Sequence, residues 1–488
     1  MNDSKCWWTP PFTRVQVAPV IAFTGWCAFT WYLIAQALAG PVMIWNDSKA
    51  YVPVASQPLW SRAFLDGQRP PLFPLLIKIV GTSESLLVAQ ATIAAIAWGV
   101  LAWTVGRLIA HGWQRVAATW VILAFATALP VTLWNRSMLS ESLAMSMLAM
   151  MFAGFIWSVR RLTWPRVFAT TAACLGLAAT KDALVWMVAL LGIAVAANTI
   201  MSVGKSRALL LRTGVLAMCL FSVVALTEWG TLSSHRTNQD VSDVFCVRVF
   251  PFPSRVAWFA AHGMPEQTQI DAIAKATLTQ FNTAKVVVPP PSDPSFAPLR
   301  RWLATKGTDD YLLWLATHPG YVITEPLYRP ERAYNFFQGN LTGYAATQNR
   351  MQSPLTIVMW PPLIGILALA AVATYFSVMS GVWRQRPWRI VLILVGIGVL
   401  EMLIAWHGDG QEVTRHTVEG LAAFRLGLWV VVTLGVLDPW NLNFANSTTQ
   451  AVKAERVIGE DDTLIAEDMS SRQATAERLL PQNPQPEI

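Results

Sequence analysis

The chain has 488 residues, of which 54% are hydrophobic and only 13% are charged. In a soluble protein about a quarter of the residues are charged. This composition therefore excludes an ordinary soluble enzyme and indicates an integral membrane protein with many spans. The net charge of +7 does not require a nucleic-acid partner, since basic residues in short cytoplasmic loops account for it.

Apolar stretches of about 20 residues, the length that crosses a bilayer, recur along the chain. They predict an all-α polytopic membrane protein with about ten transmembrane helices. The fifth stretch is short enough to be a broken helix. Their approximate limits are 15–44, 86–109, 115–134, 138–158, 167–180, 183–200, 212–231, 355–381, 390–407 and 416–437.

Alternate turns between these stretches are basic, and basic turns are cytoplasmic by the positive-inside rule. The N-terminus and the C-terminal tail are then expected inside the cell. Four regions are expected outside, namely residues 45–85, 135–137, 181–182 and 233–354. The basic turns contain Arg107 and Arg115; Arg160, Arg161 and Arg166; Lys205, Arg207 and Arg212; and Arg384, Arg386 and Arg389.

This topology divides the chain into four parts. Residues 1–232 form an N-terminal transmembrane core and residues 233–354 a mainly helical extracytoplasmic loop domain. Residues 355–437 form the C-terminal transmembrane helices, and residues 438–488 an acidic, polar tail that we expect to be disordered and cytoplasmic. Outer juxtamembrane helices are expected after the first span, where a proline-rich apolar segment is too short to cross.

Two carboxylates border predicted spans on the outer side. Asp47 follows the first span in "WNDSKAYV", with Tyr51 four residues later, and Arg69 opens the proline-rich segment "RPPLFPLLIKIVG". Glu141 begins the fourth span in "SMLSESLAMSM". Asp47 is either a solvated loop residue or a pocket acid, and Glu141 either complements the helix dipole or faces the same pocket.

Cations border other spans on the same side. Lys181 interrupts two apolar runs in "GLAATKDALVWM", where it is either a turn residue or a ligand for a lipid phosphate. Arg415 and His416 open the last span, and the arginine fork suits phosphate. Deeper in the apolar stretches, Glu401 and Arg425 are predicted to form an intramembrane ion pair that fixes helix packing.

These side chains suit a reaction whose donor is a lipid-linked phosphate. A phosphate leaving group needs cations more than a general acid, and an acceptor hydroxyl needs a carboxylate to take its proton. The sequence contains no Walker motif and no dinucleotide-binding glycine pattern after a strand. That absence is expected if the donor is a lipid-linked sugar presented outside the cell.

The first 230 or so residues resemble the GT-C superfamily of membrane glycosyltransferases, which includes protein mannosyltransferases and bacterial aminoarabinose or arabinofuranosyl transferases. Four segments carry the resemblance by their order and side of the membrane. They are "WNDSKAY", "RPPLFPLL", "SMLSESLAMSM" and "GLAATKDAL". The resemblance implies inverting transfer of a sugar from a polyprenyl-phosphate donor to a hydroxyl of an envelope glycan, lipid or protein.

The resemblance also implies roles for individual residues. Asp47 is the expected base, Glu141 a second pocket acid and Lys181 a phosphate ligand. Arg415 and His416 match less closely as further phosphate ligands, and Tyr51 and Arg69, near Asp47, are substrate-pocket candidates. Some relatives use a divalent cation, which Asp47 and Glu141 could bind, but the sequence shows too few further ligands to predict such a site.

The chain departs from the family in its large loop. Residues 233–354 match no known acceptor-binding domain and lack the WWD-type motif of oligosaccharyl transferases, which argues against transfer to asparagine. The expected location is a bacterial plasma membrane with the active site facing outside. The alternatives are a polytopic transporter or lipid-linked-sugar flippase, which inverted repeats would favour, and a structural scaffold for envelope assembly.

Overall fold

The structure, a computed structural model, describes residues 17–109, 112–158, 161–201, 206–234, 237–265, 270, 294–328, 333, 336–338, 341–348, 350, 353–379, 386–408, 410 and 413–437. Within these ranges the chain is almost entirely helical, and the one strand-like pairing is an isolated parallel bridge between Met43 and Ser137. The predicted all-α class is therefore confirmed for this part of the chain. The tail predicted at 438–488 lies outside the described residues.

The α-helices are numbered here in chain order. They are α1 Val17–Leu38, α2 Ser48–Ser56, α3 Arg62–Leu65, α4 Leu72–Val80, α5 Glu84–Gly106, α6 Gly112–Ala126, α7 Leu129–Thr132, α8 Glu141–Ser158, α9 Trp164–Ala178, α10 Val185–Ile200, α11 Arg207–Ser233, α12 Thr237–Val244, α13 Pro253–Ala261, α14 Ala297–Trp302, α15 Thr308–Thr317, α16 Pro319–Thr324, α17 Thr342–Thr347, α18 Pro354–Met359, α19 Leu363–Met379, α20 Arg386–Gly408, α21 Val413–His416 and α22 Val418–Leu437. Short 3-10 turns cover Leu133–Arg136, Asp182–Leu184, Pro294–Phe296 and Glu325–Leu327, and π-helical turns cover Phe245–Val249 and Leu303–Gly307.

Seven helices in the described part of the chain are long and apolar enough to cross a membrane. A bent pair, Gly112–Ala126 and Leu129–Arg136 at 60° to each other, makes an eighth if it is one broken span. The protein is therefore a multi-pass membrane protein by helix length and composition. The seven are Ala18–Leu38, Glu84–Gly106, Glu141–Ser158, Asp182–Ile200, Arg207–Ser233, Trp388–Gly408 and Val418–Leu437.

The remaining predicted spans correspond to shorter or bent helices. Helix α9 has 15 residues and extends about 22 Å at 1.5 Å per residue, which is less than the roughly 30 Å hydrocarbon core. The helix Leu363–Val378 is apolar but also shorter than the seven. The third predicted span bends where Pro130 occupies the first turn of α7. Ten full spans therefore stay a prediction.

Three short helices follow the first span, in the segment predicted to lie outside. The proline-rich segment forms α4, which ends at Gly81 with a φ of +85°, a left-handed conformation that favours glycine. Lys78 in α4 donates hydrogen bonds to the carbonyl oxygens of Ala55 at 3.1 Å and Gln57 at 2.8 Å. These bonds fix α4 against the end of α2, so the segment is an ordered helical unit.

The described part of the large loop has a hydrophobic core of its own. Phe245 is fully buried and packs edge-on against Phe259 and Trp302, with ring centroids 4.8 and 5.4 Å away. The loop also contacts the end of α20, where the His407 ring lies 3.4 Å from the Tyr311 hydroxyl and its Nε2 lies 2.9 Å from the Val322 carbonyl oxygen. The loop helices therefore pack as a small unit on the membrane bundle.

Helices α20 and α22 approach closely through glycines. A Cβ at Gly398 would lie 2.7 Å from the Phe424 backbone nitrogen and 3.0 Å from the Gly420 carbonyl oxygen. These are backbone atoms, which cannot rotate away as a side chain can. A Cβ at Gly396, on the same helix, would have no atom within 4 Å.

We therefore expect Gly398→Ala to destabilise the protein by about 1–3 kcal/mol, the usual range for overpacking. Gly396→Ala is the matched control and should leave stability unchanged or raised, because alanine is the better helix former. Thermal unfolding in one detergent measures both. Equal midpoints for the two variants would contradict the close approach.

Candidate functional site

The segment after the first span is held against the start of α8. The backbone nitrogen of Met43 donates to the Arg136 carbonyl oxygen at 2.8 Å, and the Met138 nitrogen donates to the Met43 carbonyl oxygen at 2.9 Å. The buried Ser48 hydroxyl donates to the Met138 carbonyl oxygen at 2.8 Å. These bonds bring Asp47, at the start of α2, to the same end of the bundle as the first turn of α8.

Asp47 contacts two arginines. Arg69 donates to its Oδ1 at 3.0 Å and Arg415 to its Oδ2 at 2.5 Å. Although Asp47 precedes α2 at the capping position, its side chain makes no cap hydrogen bond, so both carboxylate oxygens are directed to cations. Burial opposes its ionisation, but the charges of Arg415 and Arg69 outweigh burial and hold the pKa of Asp47 below its ordinary value.

Arg415 also pairs with a second acid. Its Nε lies 3.1 Å from Glu141 Oε1, and its Nη2 lies 3.4 Å from His416 Nε2. The Arg415 side chain is 6% exposed and that of Glu141 is 2% exposed, whereas that of Asp47 is 29% exposed. Arg415 therefore joins a carboxylate that solvent reaches to one that it does not.

Lys181 continues the series. Its Nζ donates to both carboxylate oxygens of Glu419, at 3.0 and 3.1 Å, and lies 3.8 Å from Glu141 Oε1. Glu419 is in the first turn of α22 and is fully buried. The result is a line of alternating charges, called here the charge chain, made up of Arg69, Asp47, Arg415, Glu141, Lys181 and Glu419.

The structure brings all seven predicted site residues together. Tyr51 completes the set, because the Arg69 guanidinium lies 5.4 Å from its ring centroid and its hydroxyl lies 3.0 Å from Ser140 Oγ. The set lies where the first span ends and where α8, the span Asp182–Ile200 and α22 begin. Positions far apart in the sequence therefore meet at one end of the bundle.

Glu419 was not predicted as a site residue, although the acid lies one turn after Arg415 at the start of a predicted span. A second error concerns Arg425 and Glu401, which do not pair. Arg425 donates to the carbonyl oxygens of Pro361 at 2.8 Å and Phe337 at 2.7 Å. Backbone acceptors from neighbouring segments thus bind both terminal nitrogens of the arginine that was predicted to pair with a carboxylate.

Glu401 instead lies near the charge chain. It is fully buried, it interacts electrostatically with Glu419 and Lys181, and neither of its carboxyl oxygens has a hydrogen-bond partner in the described structure. Buried polar groups are usually satisfied, and ionisable groups inside a membrane are by default functional candidates. Glu401 is therefore a further candidate that the sequence pattern assigned to the wrong role.

The described residues of the site do not form a group of metal ligands. Among the described residues, no group of three or more His, Cys, Asp or Glu side chains lies close enough to hold a metal ion. Asp47 and Glu141, the two residues named as possible ligands, both contact Arg415. The arrangement is suited to binding an anion in exchange for a carboxylate, and to accepting a proton at Asp47.

Comparison with known proteins found no relative of this chain. No protein-family model matches the chain, and neither the curated proteins nor the solved structures gave a significant match.

Replacement of Lys181 by methionine should leave Glu419 and Glu141 buried without the positive charge of the lysine. Breaking a buried ion pair in this way costs about 3–5 kcal/mol, and Lys181→Met/Glu419→Gln should recover a substantial part of the loss. Lys49→Met is the control, because Lys49 is an exposed lysine in the segment after the first span. Denaturant unfolding in detergent measures all three, and a double variant no more stable than Lys181→Met would contradict the pairing.

Proposed function

We propose that the protein is an integral membrane glycosyltransferase. It moves a sugar from a polyprenyl-phosphate donor to an acceptor hydroxyl on the extracytoplasmic face. The observation that carries the proposal is the convergence of Asp47, Arg415, Glu141 and Lys181 at one end of the membrane bundle. These residues come from the segments that resemble GT-C enzymes and from the start of the last span, and the family assignment is itself part of the proposal.

Donor binding is assigned to the cations. A lipid places its phosphate at headgroup depth, which is the level at which spans end. Arg415 presents a planar fork of donors that matches phosphate oxygens, and Lys181 supplies a compact charge beside it. His416 and Arg69 lie next to Arg415 and Asp47 respectively. These groups would stabilise the negative charge that develops on the departing phosphate.

Acceptor activation is assigned to Asp47. The acceptor oxygen attacks the anomeric carbon and forms the new glycosidic bond. The bond between that carbon and the phosphate oxygen breaks, and its electron pair leaves with the phosphate. Asp47 takes the proton of the acceptor hydroxyl. It is the most exposed acid of the charge chain, with 29% of its side chain accessible, so an acceptor arriving from outside reaches it first.

Substrate binding changes the strength of this base. While Arg415 and Arg69 hold Asp47, its lowered pKa makes it a weak proton acceptor. A donor phosphate that binds Arg415 competes with the carboxylate for the same N–H groups and weakens that hold. Asp47 therefore becomes a stronger base when the donor is in place. This favours sugar transfer to an acceptor over proton exchange with water in the absence of donor.

One observation favours a transporter instead. Glu401 is buried at membrane depth without a hydrogen-bond partner in the described structure, as proton-carrying carboxylates in transporters are. Transport can be measured as uptake of a lipid-linked sugar or a proton by proteoliposomes. Uptake that is lost in Glu401→Gln but retained in Asp47→Asn would support this function. No uptake by the wild type, together with glycosyl transfer that is lost in Asp47→Asn and retained in Glu401→Gln, would support the enzyme.

The first test of the enzyme is glycosyl transfer by purified protein in nanodiscs. A panel of short-chain polyprenyl-phosphate sugars is offered, and release of polyprenyl phosphate is followed. Asp47→Asn should lower turnover by about 10²–10⁴-fold, the range for loss of a general base. Asp66→Asn is the matched control, because Asp66 pairs with Arg62 in the same outer segment but lies outside the charge chain.

Two results would contradict the proposal in different ways. Normal turnover in Asp47→Asn would remove that residue from the mechanism and leave the donor class intact. No release from any donor, with well-folded protein and a range of hydroxyl acceptors, would contradict the donor class itself.

The pH dependence gives an independent check on Asp47. Because its pKa is lowered, Asp47 is ionised at neutral pH and loses its charge only in acid. Arg69→Gln removes one of the two cations, so the pKa of Asp47 should rise and the acid limb of the kcat/KM profile should move to higher pH. Arg62→Gln, which removes an arginine paired with Asp66, should leave that limb in place.

A further inference from the structure

Arginine-bearing turns meet at the end of the bundle opposite the charge chain. Glu141 begins α8, and the turn after α8 is reached 18 residues later, about 27 Å away at 1.5 Å per residue. There Arg166 donates to the carbonyl oxygens of Trp157 at 2.9 Å and Arg161 at 2.6 Å. Arg212, at the start of α11, donates to the Leu162 carbonyl oxygen at 3.0 Å.

A cavity opens between α5, α8 and α9 at this end. About 350 Å³ of space lies within this cavity and its open mouth, and two arginines line it, Arg107 immediately after α5 and Arg166 in α9. The rest of its wall is formed by Thr104, Leu108, Ile156 and Trp157. The cavity wall therefore combines two guanidinium groups with a hydroxyl and apolar side chains.

The charges around this cavity repel one another. Arg107 and Arg161 both act electrostatically against the charge of Arg166, and in the described structure no carboxylate lies within ion-pair distance of Arg166. An anion bound beside Arg166 would offset this repulsion. The charge chain behaves differently, since there every cation has a carboxylate beside it.

Exposed indole rings contact both arginines of the cavity, and one of them, Trp157, also lines it. The Arg107 guanidinium lies 4.9 Å from the ring centroid of Trp103, and that of Arg166 lies 4.9 Å from the ring of Trp157. Trp103 is 50% exposed and Trp157 is 37% exposed. Tryptophan is enriched at the level where lipid headgroups meet water, and basic pockets between membrane helices bind phosphate-bearing headgroups.

We propose that this cavity binds a phosphate anion at the basic end of the bundle, through Arg107 and Arg166. The exposed tryptophans favour the headgroup phosphate of an anionic lipid over a soluble phosphate as its source. The positive-inside rule predicts that this end faces the cytoplasm. The proposal does not depend on glycosyl transfer, because it concerns the other end of the bundle and different residues.

The test measures lipid binding to the delipidated full-length chain by native mass spectrometry. Phosphatidylglycerol and phosphatidylcholine are titrated separately. Each arginine near an anionic headgroup is worth about fivefold in affinity, so Arg107→Gln and Arg166→Gln should each weaken phosphatidylglycerol binding by about that factor. Arg207→Gln, an exposed arginine predicted on the same side, should have no effect.

Two variants are used because they differ in structural risk. Arg166→Gln loses hydrogen bonds that organise the turn between α8 and α9, whereas Arg107 is exposed and stacks on a tryptophan. A matching loss of affinity in both, with unchanged unfolding midpoints, supports the site. A separate titration with inorganic phosphate in phosphatidylcholine nanodiscs identifies the source of the bound phosphate. If inorganic phosphate raises the unfolding temperature only when both arginines are present, and phosphatidylglycerol binds no better than phosphatidylcholine, the site binds soluble phosphate.

Equal affinity for the two lipids in the wild type, together with no phosphate-dependent thermal shift, would overturn the proposal. So would full phosphatidylglycerol binding by Arg107→Gln/Arg166→Gln.

Discussion

The compensation of buried charge by Arg415 is the interaction on which the candidate site depends. One guanidinium contacts Asp47, which solvent reaches, and Glu141, which it does not. Without this cation Asp47 would keep only Arg69, and Glu141 only Lys181, whose Nζ lies 3.8 Å away. The buried Glu141 carboxylate would then be poorly compensated, which costs several kcal/mol. The segment after the first span, the start of α8 and the short helix α21 must therefore stay in register, because each supplies one charged group to the same pairing.

This constraint explains how short, separate segments can define one site. Backbone hydrogen bonds between Met43 and the turn before α8 fix the approach of Asp47, and Lys181 repeats the arrangement one step deeper with Glu141 and Glu419. The close contact of α20 and α22 through Gly398 and Gly420 keeps the last span in place. The bundle thus supplies the rigidity, and the ends of the spans with the segments beside them supply the charged groups.

Much of this arrangement could be predicted from the sequence, for a physical reason. A charged residue beside a long apolar run stands out against its background, and the positive-inside rule assigns it a side of the membrane. Asp47, Glu141, Lys181 and Arg415 were found in this way. What could not be predicted was the direction in which a side chain points from a helix in an apolar stretch. Arg425 was therefore paired with Glu401, although its terminal nitrogens donate to backbone carbonyl oxygens instead, and Glu419 was given no role.

Span lengths show a similar limit. Hydropathy predicted ten spans because it averages over a window and does not register a bend such as the 60° angle before α7. It did mark the fifth stretch as short, and the helix there has 15 residues. Where helices start and stop depends on local turns and on neighbours that become visible only in three dimensions.

The charge chain also has a consequence for turnover. Its three carboxylates and three cations sum to no net formal charge. A sugar phosphodiester carries one negative charge, whereas the phosphate monoester left after transfer carries up to two, so the same arginine and lysine hold the product more firmly than the donor. Under the proposed function, Asp47 and Glu141 then act as an internal competitor. By pairing with Arg415 again, they displace the product, the lipid phosphate. The carboxylates that bind Arg415 in the empty site therefore also promote product release.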